Sequence, residues 1–295
     1  TPIRFVVNAD GKLIPIEAAP EPKVKQQYYR ENGKRTPLLS PTGQIVESNY
    51  GKVVNYHTLR VSGRFKVVIA PSVTALKVRC DRAFMDVVKY EMVDGVLSLS
   101  IDRQKCSAWT GDMTIVVYLP ASSHLIRIYA DNMASVQIKT SRRVDVLTVD
   151  VDGRSSVSAT GHLIAQKVTV NLDGFSKFNA DVFTTYPNGF VMDDGMVLYN
   201  IDGRSEANGT VVTKTLVAKV DGFSEFNVGS SANNARYVLN GHSKLNGGIG
   251  ATTLRAALDG FSSVSSSQIT FERSAVFEID GRSSISTKQM SGAQG

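Results

Sequence analysis

Two nine-residue stretches, VDGRSSVSA at 151–159 and LDGFSKFNA at 172–180, carry the same word with Arg154 exchanged for Phe175. The word returns as IDGRSEA around Gly203, VDGFSEF around Gly222, LNGHSKL around Gly241, LDGFSSV around Gly260 and IDGRSSI around Gly281. Successive glycines are 21, 29, 19, 19, 19 and 21 residues apart. A period near twenty is too short for a propeller blade, and the leucine and asparagine spacing of a leucine-rich repeat is absent. One solenoid turn per repeat fits it.

Before each glycine, the second, fourth and sixth positions are apolar, as in Val151, Val149 and Leu147, or Leu172, Val170 and Val168, or Ile279, Phe277 and Ala275. This period of two marks a strand with one buried face. After the glycine, Ser155 and Val157, Ser176 and Phe178, or Ser224 and Phe226 repeat the alternation, so a second strand leaves the corner. Asp-Gly supplies that corner: glycine takes a positive φ, and the aspartate side chain accepts a local backbone hydrogen bond. Asp-Gly is also a hairpin signal. The regular recurrence of like residues favours stacking, each strand pairing in parallel with its counterpart one period away. With the right-handed preference of parallel crossovers, the expected fold is all-β, a right-handed parallel β-helix.

Weaker copies extend upstream. Ile126, Ile128 and Ala130 precede Asp131-Asn132, with Ala134 and Val136 after, and Asn132 stands 21 residues before Gly153. LRVSGRFKVVIA, containing Gly63, reads as another degenerate copy, and RAFMDVVKYEMV reads as a short helical segment. The expected organisation is an N-terminal arm or linker over 1–51, a β-rich capping region over 52–120, β-helix repeats over 121–290 and a tail over 291–295. Within the arm, IRFVVNADGKLIPI suits one hairpin.

At 295 residues and 42% hydrophobic content, the chain can bury a large core in one elongated or two compact domains. It lacks an apolar run long enough for a membrane-spanning helix. Starting at Thr1 without a leader, it reads as a processed or trimmed soluble form. Residues 1–144 hold 21 Lys and Arg against 12 Asp and Glu, while residues 145–295 hold 12 against 15. The excess positive charge falls mainly in the irregular N-terminal stretch rather than on a basic stripe with interleaved aromatics, so no nucleic-acid partner is expected. Cys80 shares the buried parity of ALKVRC and Cys106 lies in the polar loop DRQKCSAWTGD; two cysteines make no disulfide scaffold and no metal site, though pairing between them stays open.

From LRVSGRFKVVIAPSVTALKVRC through VDGVLSLSI and TIVVYLP into the Asp-Gly-x-Ser repeats, roughly residues 52–290, the sequence resembles the auto-transporter adhesins of the head GIN domain type, found in Bacteroidetes. The resemblance implies a β-helical exported protein that acts in adhesion at the cell surface, outer-membrane-associated or periplasmic. It brings no catalytic motif. The chain departs from a complete auto-transporter in having no C-terminal set of barrel strands after TKQMSGAQG.

The candidate binding residues follow from the exchanged letter. Arg154, Phe175, Arg204, Phe223, His242, Phe261 and Arg282 come immediately after the corner glycines, with outward parity. At about 4.8 Å per strand they would form one column about 29 Å long. Two readings stay open: a surface ladder satisfied by its own cation–π contacts, or a docking strip for a glycan or protein. The period breaks once, at TTYPNGFVMDDGM, where Tyr186, Phe190, Asp193 and Asp194 form an irregular loop cluster. The column Asp152, Asp173, Asp202, Asp221, Asp259 and Asp280 reads as turn chemistry rather than a calcium or catalytic site, because all six occupy the identical corner. His57, His124, His162 and His242 fall in no catalytic motif. The expected function is non-enzymatic binding of a glycan, a protein or the chain itself, without a cofactor or metal. The alternative is a carbohydrate-active β-helix enzyme, a polysaccharide lyase or hydrolase, for which Asp193 and Asp194 are the only acid/base candidates.

Overall fold

The computed structural model describes residues 5–7, 13–15, 27–31, 34–53, 55–106, 108–184 and 194–292, with side chains from residue 38 onward. The described chain is all-β apart from one helical turn, Arg82–Met85. The segment around that turn does not continue as helix: Val88–Val93 is a strand pairing antiparallel with Val96–Ile101. Alternating Val, Tyr and Met side chains suit a pleated edge better than a helix face.

Three parallel ladders organise the repeats. The leading ladder, before each glycine, runs from Thr58–Ser62 through Arg127–Asp131, Arg142–Val151, Leu163–Leu172 and Met196–Ile201. It continues through Glu206–Val220, Glu225–Leu239 and Ile249–Leu258 to Ile269–Ile279. The trailing ladder, after each glycine, joins Phe65–Ala70, Ser135–Ile138, Ser156–Ala159 and Lys177–Asn179, and ends at Ser263–Ser266 and Ser284–Thr287. A third ladder, which sequence patterning did not separate, joins Leu163-Ile164 to Val182–Phe183, Val211-Val212 and onward to Met290–Gly292. From Arg127–Asp131 onward, every partner is the residue one repeat away. Val151 pairs with Leu172, Leu172 with Ile201, Ile201 with Val220 and Val220 with Leu239. The copy around Gly63 belongs to the same system, with Leu59 opposite Ile128 and Val67 opposite Val136.

Like positions therefore stack into a continuous core. Val149, Val170, Tyr199, Ala218 and Tyr237 form one buried column, and Val157, Phe178, Ala207, Phe226 and Leu245 form the facing one. Large and small residues compensate across two adjacent repeats: Tyr199 shares its repeat with Ala207, and Phe226 shares its repeat with Ala218. The aromatic rings meet edge to face, with centroids 5.0 Å apart for Tyr199 and Phe226 and 6.2 Å apart for Phe178 and Tyr199. The inward serines at the corner, including Ser176, Ser205 and Ser224, are buried and satisfied by backbone: Ser176 N–H donates to Ser205 Oγ at 3.3 Å, and Ser205 N–H to Ser224 Oγ at 3.2 Å.

The two ends differ from the repeats. At the N-terminal end, Leu76–Asp81 pairs antiparallel with Ile115–Pro120 and with Ile45–Gly51. Ile45–Gly51, expected in the arm, is thus part of the sheet; its order comes from a distant partner that no local pattern reveals. Within the arm, Phe5–Val7 and Leu13–Pro15 pair as the expected hairpin. Ile126, expected inside, is exposed because it precedes the strand Arg127–Asp131, while Leu125 is buried. At the C-terminal end, Phe277 is partly buried and Ile279 is exposed, although both continue inward columns. No further ladder covers them among the described residues.

Asp81 pins the N-terminal junction. Its carboxylate accepts hydrogen bonds from Thr42 N–H at 3.0 Å, Thr42 Oγ1 at 2.9 Å, Gly43 N–H at 2.6 Å and Ala83 N–H at 2.9 Å. Burial opposes its charge, but these four donors outweigh burial and hold the carboxyl below its ordinary range. A depressed folded-state pKa contributes stability above the unfolded value near 4, lost as pH falls through the lower folded value. The stability difference between the native chain and Asp81→Asn should accordingly shrink in urea titrations repeated from neutral pH down to about 3. A constant difference across that range would contradict the assignment.

Candidate functional site

The outward column forms one continuous ridge. Its backbone is fixed by the stack: Phe175 N–H donates to Gly153 O at 2.6 Å, Arg204 N–H to Gly174 O at 2.7 Å, and Phe223 N–H to Gly203 O at 2.8 Å. His242, Phe261 and Arg282 repeat the same bond at 2.7 Å each. The side chains follow the backbone. Phe175 lies between the guanidiniums of Arg154 and Arg204, 5.5 and 5.7 Å from its centroid. Arg204 also lies 5.4 Å from the Phe223 centroid, and Arg282 lies 5.6 Å from that of Phe261.

His242 fills the interval between Phe223 and Phe261. Its ring stacks on theirs at 4.7 and 4.8 Å, with interplanar angles of 13° and 10°. A flat imidazole thus occupies the place a guanidinium takes elsewhere, and the alternation continues unbroken. The rings remain open to solvent: Phe175, Phe223 and Phe261 are 50%, 57% and 51% exposed. All seven column residues singled out in the sequence are brought together.

The rows beyond the ridge on the trailing ladder mostly satisfy themselves. Lys177 pairs with Glu206 at 2.9 Å and Lys244 with Glu225 at 3.2 Å. Asn208 donates its amide to Asn179 at 2.6 Å, Asn227 to Asn208 at 3.1 Å and Asn246 to Asn227 at 2.7 Å.

On the other side of the ridge lies a groove of about 640 Å³. One wall is the corner row Asp152, Asp173, Asp202 and Asp221, and the other is the row two residues earlier, Asp150, Asn171, Asn200 and Lys219. The corner aspartates do the local work expected of them: Oδ1 accepts the N–H of the following glycine in Asp152, in Asp173 and Asp202 at 2.5 Å, and in Asp221 at 2.6 Å. Their second oxygens have no protein partner among the described residues. In the other row Asn200 donates to Asn171 Oδ1 at 2.8 Å, and Asn171 donates to Asp150 Oδ1 at 2.6 Å. Sequence reasoning dismissed the first row as turn chemistry and overlooked the second. The available signal was parity, since the first and third positions before Gly153, Gly174, Gly203 and Gly222 face outward and are polar.

Of the loop cluster, Tyr186, Phe190 and Asp193 lie outside the described residues, and Asp194 is an exposed turn residue. Cys80 and Cys106 are both buried free thiols. Burial pushes Cys80 up to about 11, helped by the nearby Asp81 carboxylate, and also raises Cys106. His57 bonds Thr58 Oγ1 and Asp94 O, each at 2.9 Å, and His162 packs on Phe183 at 4.7 Å. Among the described residues, no group of three or more His, Cys, Asp and Glu side chains is placed to hold a metal ion, and no helix is long and apolar enough to cross a membrane.

No family model matches the sequence, and no curated protein aligns with it significantly. Solved structures do resemble it. A "putative adhesin" from Parabacteroides merdae superposes with a TM-score of 0.65 at 11% identity, over 86% of this chain and 99% of that one. A "putative adhesin" from Parabacteroides distasonis gives 0.62 at 14% identity, over 86% and 100%. A "Putative lipid binding protein" from Parabacteroides distasonis gives 0.63 at 15% identity, over 84% and 99%. At such identities the likeness is one of fold.

Proposed function

We propose that this chain is a non-enzymatic, exported binding protein of the head GIN adhesin type, acting at the cell surface or in the periplasm, and that the Arg-Phe-His ridge is its contact strip. The three ladders are read as the faces of a right-handed parallel β-helix over 121–290, with 52–120 and the strand Ile45–Gly51 as its cap and the residues before 45 as an arm. The adhesin-like fold neighbours from Bacteroidetes support this reading. The observation that carries it is the ridge: three phenyl rings, each half exposed, held by backbone hydrogen bonds at regular steps. Rigid aromatic and guanidinium groups offer contact area at little entropic cost, whether to a glycan, a protein or a second copy of the chain.

The magnitudes separate binding from folding. Each ring makes two ridge contacts worth about 0.5–1 kcal/mol apiece, so a Phe→Ser change should cost only about 1–2 kcal/mol of stability. Replacing Phe175, Phe223 and Phe261 together with Ser should leave a folded chain at 25 °C. Its binding on a glycan array, to surface proteins, or to itself by sedimentation should fall by about tenfold or more. A folded triple variant whose associations all match the native chain would make the ridge a feature of the fold alone.

A further inference from the structure

We propose that the groove beside the ridge is a binding site for an uncharged glycan lying along the stack, its hydroxyls held by the free oxygens of Asp152, Asp173, Asp202 and Asp221 and its C–H groups packed against the exposed edges of the neighbouring phenyl rings. This deepens the ridge reading and rests on it.

Four lines of observation lead there, of which the capacity of the groove and its spacing come first. The groove volume of about 640 Å³ falls within the usual range of ligand sites. Each corner carboxylate is half used, with Oδ1 locked by a glycine N–H and Oδ2 unpartnered, so acceptors stand pre-oriented at every step. Neighbouring steps are about 4.8 Å apart, comparable to the advance of one sugar residue in an extended β-linked chain. Successive sugars would therefore each meet one corner carboxylate. The aspartate and the ridge residue are separated by the corner glycine alone, which places hydrogen-bond acceptors and exposed ring edges within about 7 Å of each other.

The third observation concerns cost. Like charges one step apart repel, and directly paired like charges weaken a sheet. The corner does not require them: Asn240 occupies the same position, with Gly241 at φ 70° beside φ 71° for Gly222. The corner thus keeps its backbone angle without a carboxylate, and the row of charges is not needed to set that angle.

The fourth is the pattern of charge, which selects the class of ligand. The groove carries several carboxylates against Lys219, and so repels polyanions. The ridge at its lip carries Arg154 and Arg204, and so repels polycations. A neutral polyol, with hydroxyls for the carboxylates and amides and C–H groups for the exposed edges of Phe175 and Phe223, is compatible with both.

The full chain would be titrated with neutral β-linked gluco- and manno-oligosaccharides, with oligogalacturonate and with hexalysine, at low and high salt. Neutral oligosaccharides should bind with little salt dependence. The double variant Asp173→Asn, Asp202→Asn should bind them about tenfold or more weakly, with a melting temperature equal to or slightly above that of the native chain. Full affinity in that folded double variant would overturn the groove assignment, and loss in Phe223→Ser alone would then leave the ridge reading standing. Preference for oligogalacturonate or hexalysine, with steep salt dependence, would overturn the neutral-glycan assignment. Binding to no oligosaccharide would do the same, while protein or self-association lost with the phenyl rings would still support the ridge.

Discussion

Gly203→Ala should cost about 3–5 kcal/mol, whereas Gly153→Ala, at the same corner of an earlier repeat, should cost only about 1–2 kcal/mol. Both glycines have positive φ, 75° and 71°, so the conformational penalty of an L side chain is common to them. Their surroundings differ. A Cβ on Gly203 would stand 2.5 Å from Gly174 O and 2.9 Å from Gly174 N, both backbone atoms. That carbonyl cannot withdraw cheaply, because it accepts the Arg204 N–H at 2.7 Å. On Gly153 the nearest atom would be Asn132 N at 3.4 Å, an ordinary contact. The first repeat has room because its lower neighbour is the Asn132-Met133 corner, where both residues have positive φ, rather than another Asp-Gly. Urea denaturation of the two variants measures the difference directly. Equal losses would mean that glycine is kept for φ alone, and that the close approach of neighbouring corners carries no weight.

That contrast also shows what was legible in the sequence. The glycine interval and the parity around it were enough to place Val151, Leu172 and Ile201 in one inward column, and Arg204 between Phe175 and Phe223. Repetition multiplies a weak local signal, so parity becomes readable even where single strands are short. Non-repeating pairings offered no such help. Ile45–Gly51 lies in a stretch without a repeat, and its partner Leu76–Asp81 is distant and antiparallel. Cys106 sits in a polar loop yet is buried, because its N–H returns to Asp102 O at 2.9 Å and its Sγ donates to Ala108 O at 3.3 Å. The groove was hidden for another reason. A turn role explains one oxygen of each aspartate, and only the geometry shows that the row walls a groove opposite Asp150, Asn171, Asn200 and Lys219.

Phe226→Ala should be among the most damaging core substitutions, at about 3–5 kcal/mol. Phe226 is fully buried, its ring 5.0 Å from Tyr199 at 72° and 6.3 Å from Tyr237 at 58°. The small residue that shares its repeat, Ala218, cannot fill the space, and neither can Ala207 beneath it in the column. Collapse is also blocked by the backbone: Glu225 N–H to Ser205 O and Lys244 N–H to Ser224 O, each 2.9 Å, hold the neighbouring steps at their spacing. The cavity should therefore persist, which puts the cost toward the upper end of that range. Phe226→Leu keeps most of the volume and should cost about 1–2 kcal/mol, losing chiefly the edge-to-face contacts. Thermal and urea melts of the two variants then separate volume from ring geometry. A loss below about 1 kcal/mol for Phe226→Ala would show that the ladders can close over a missing ring. The large-against-small alternation of Tyr199 with Ala207 and Phe226 with Ala218 would then not be what sets the width of the core.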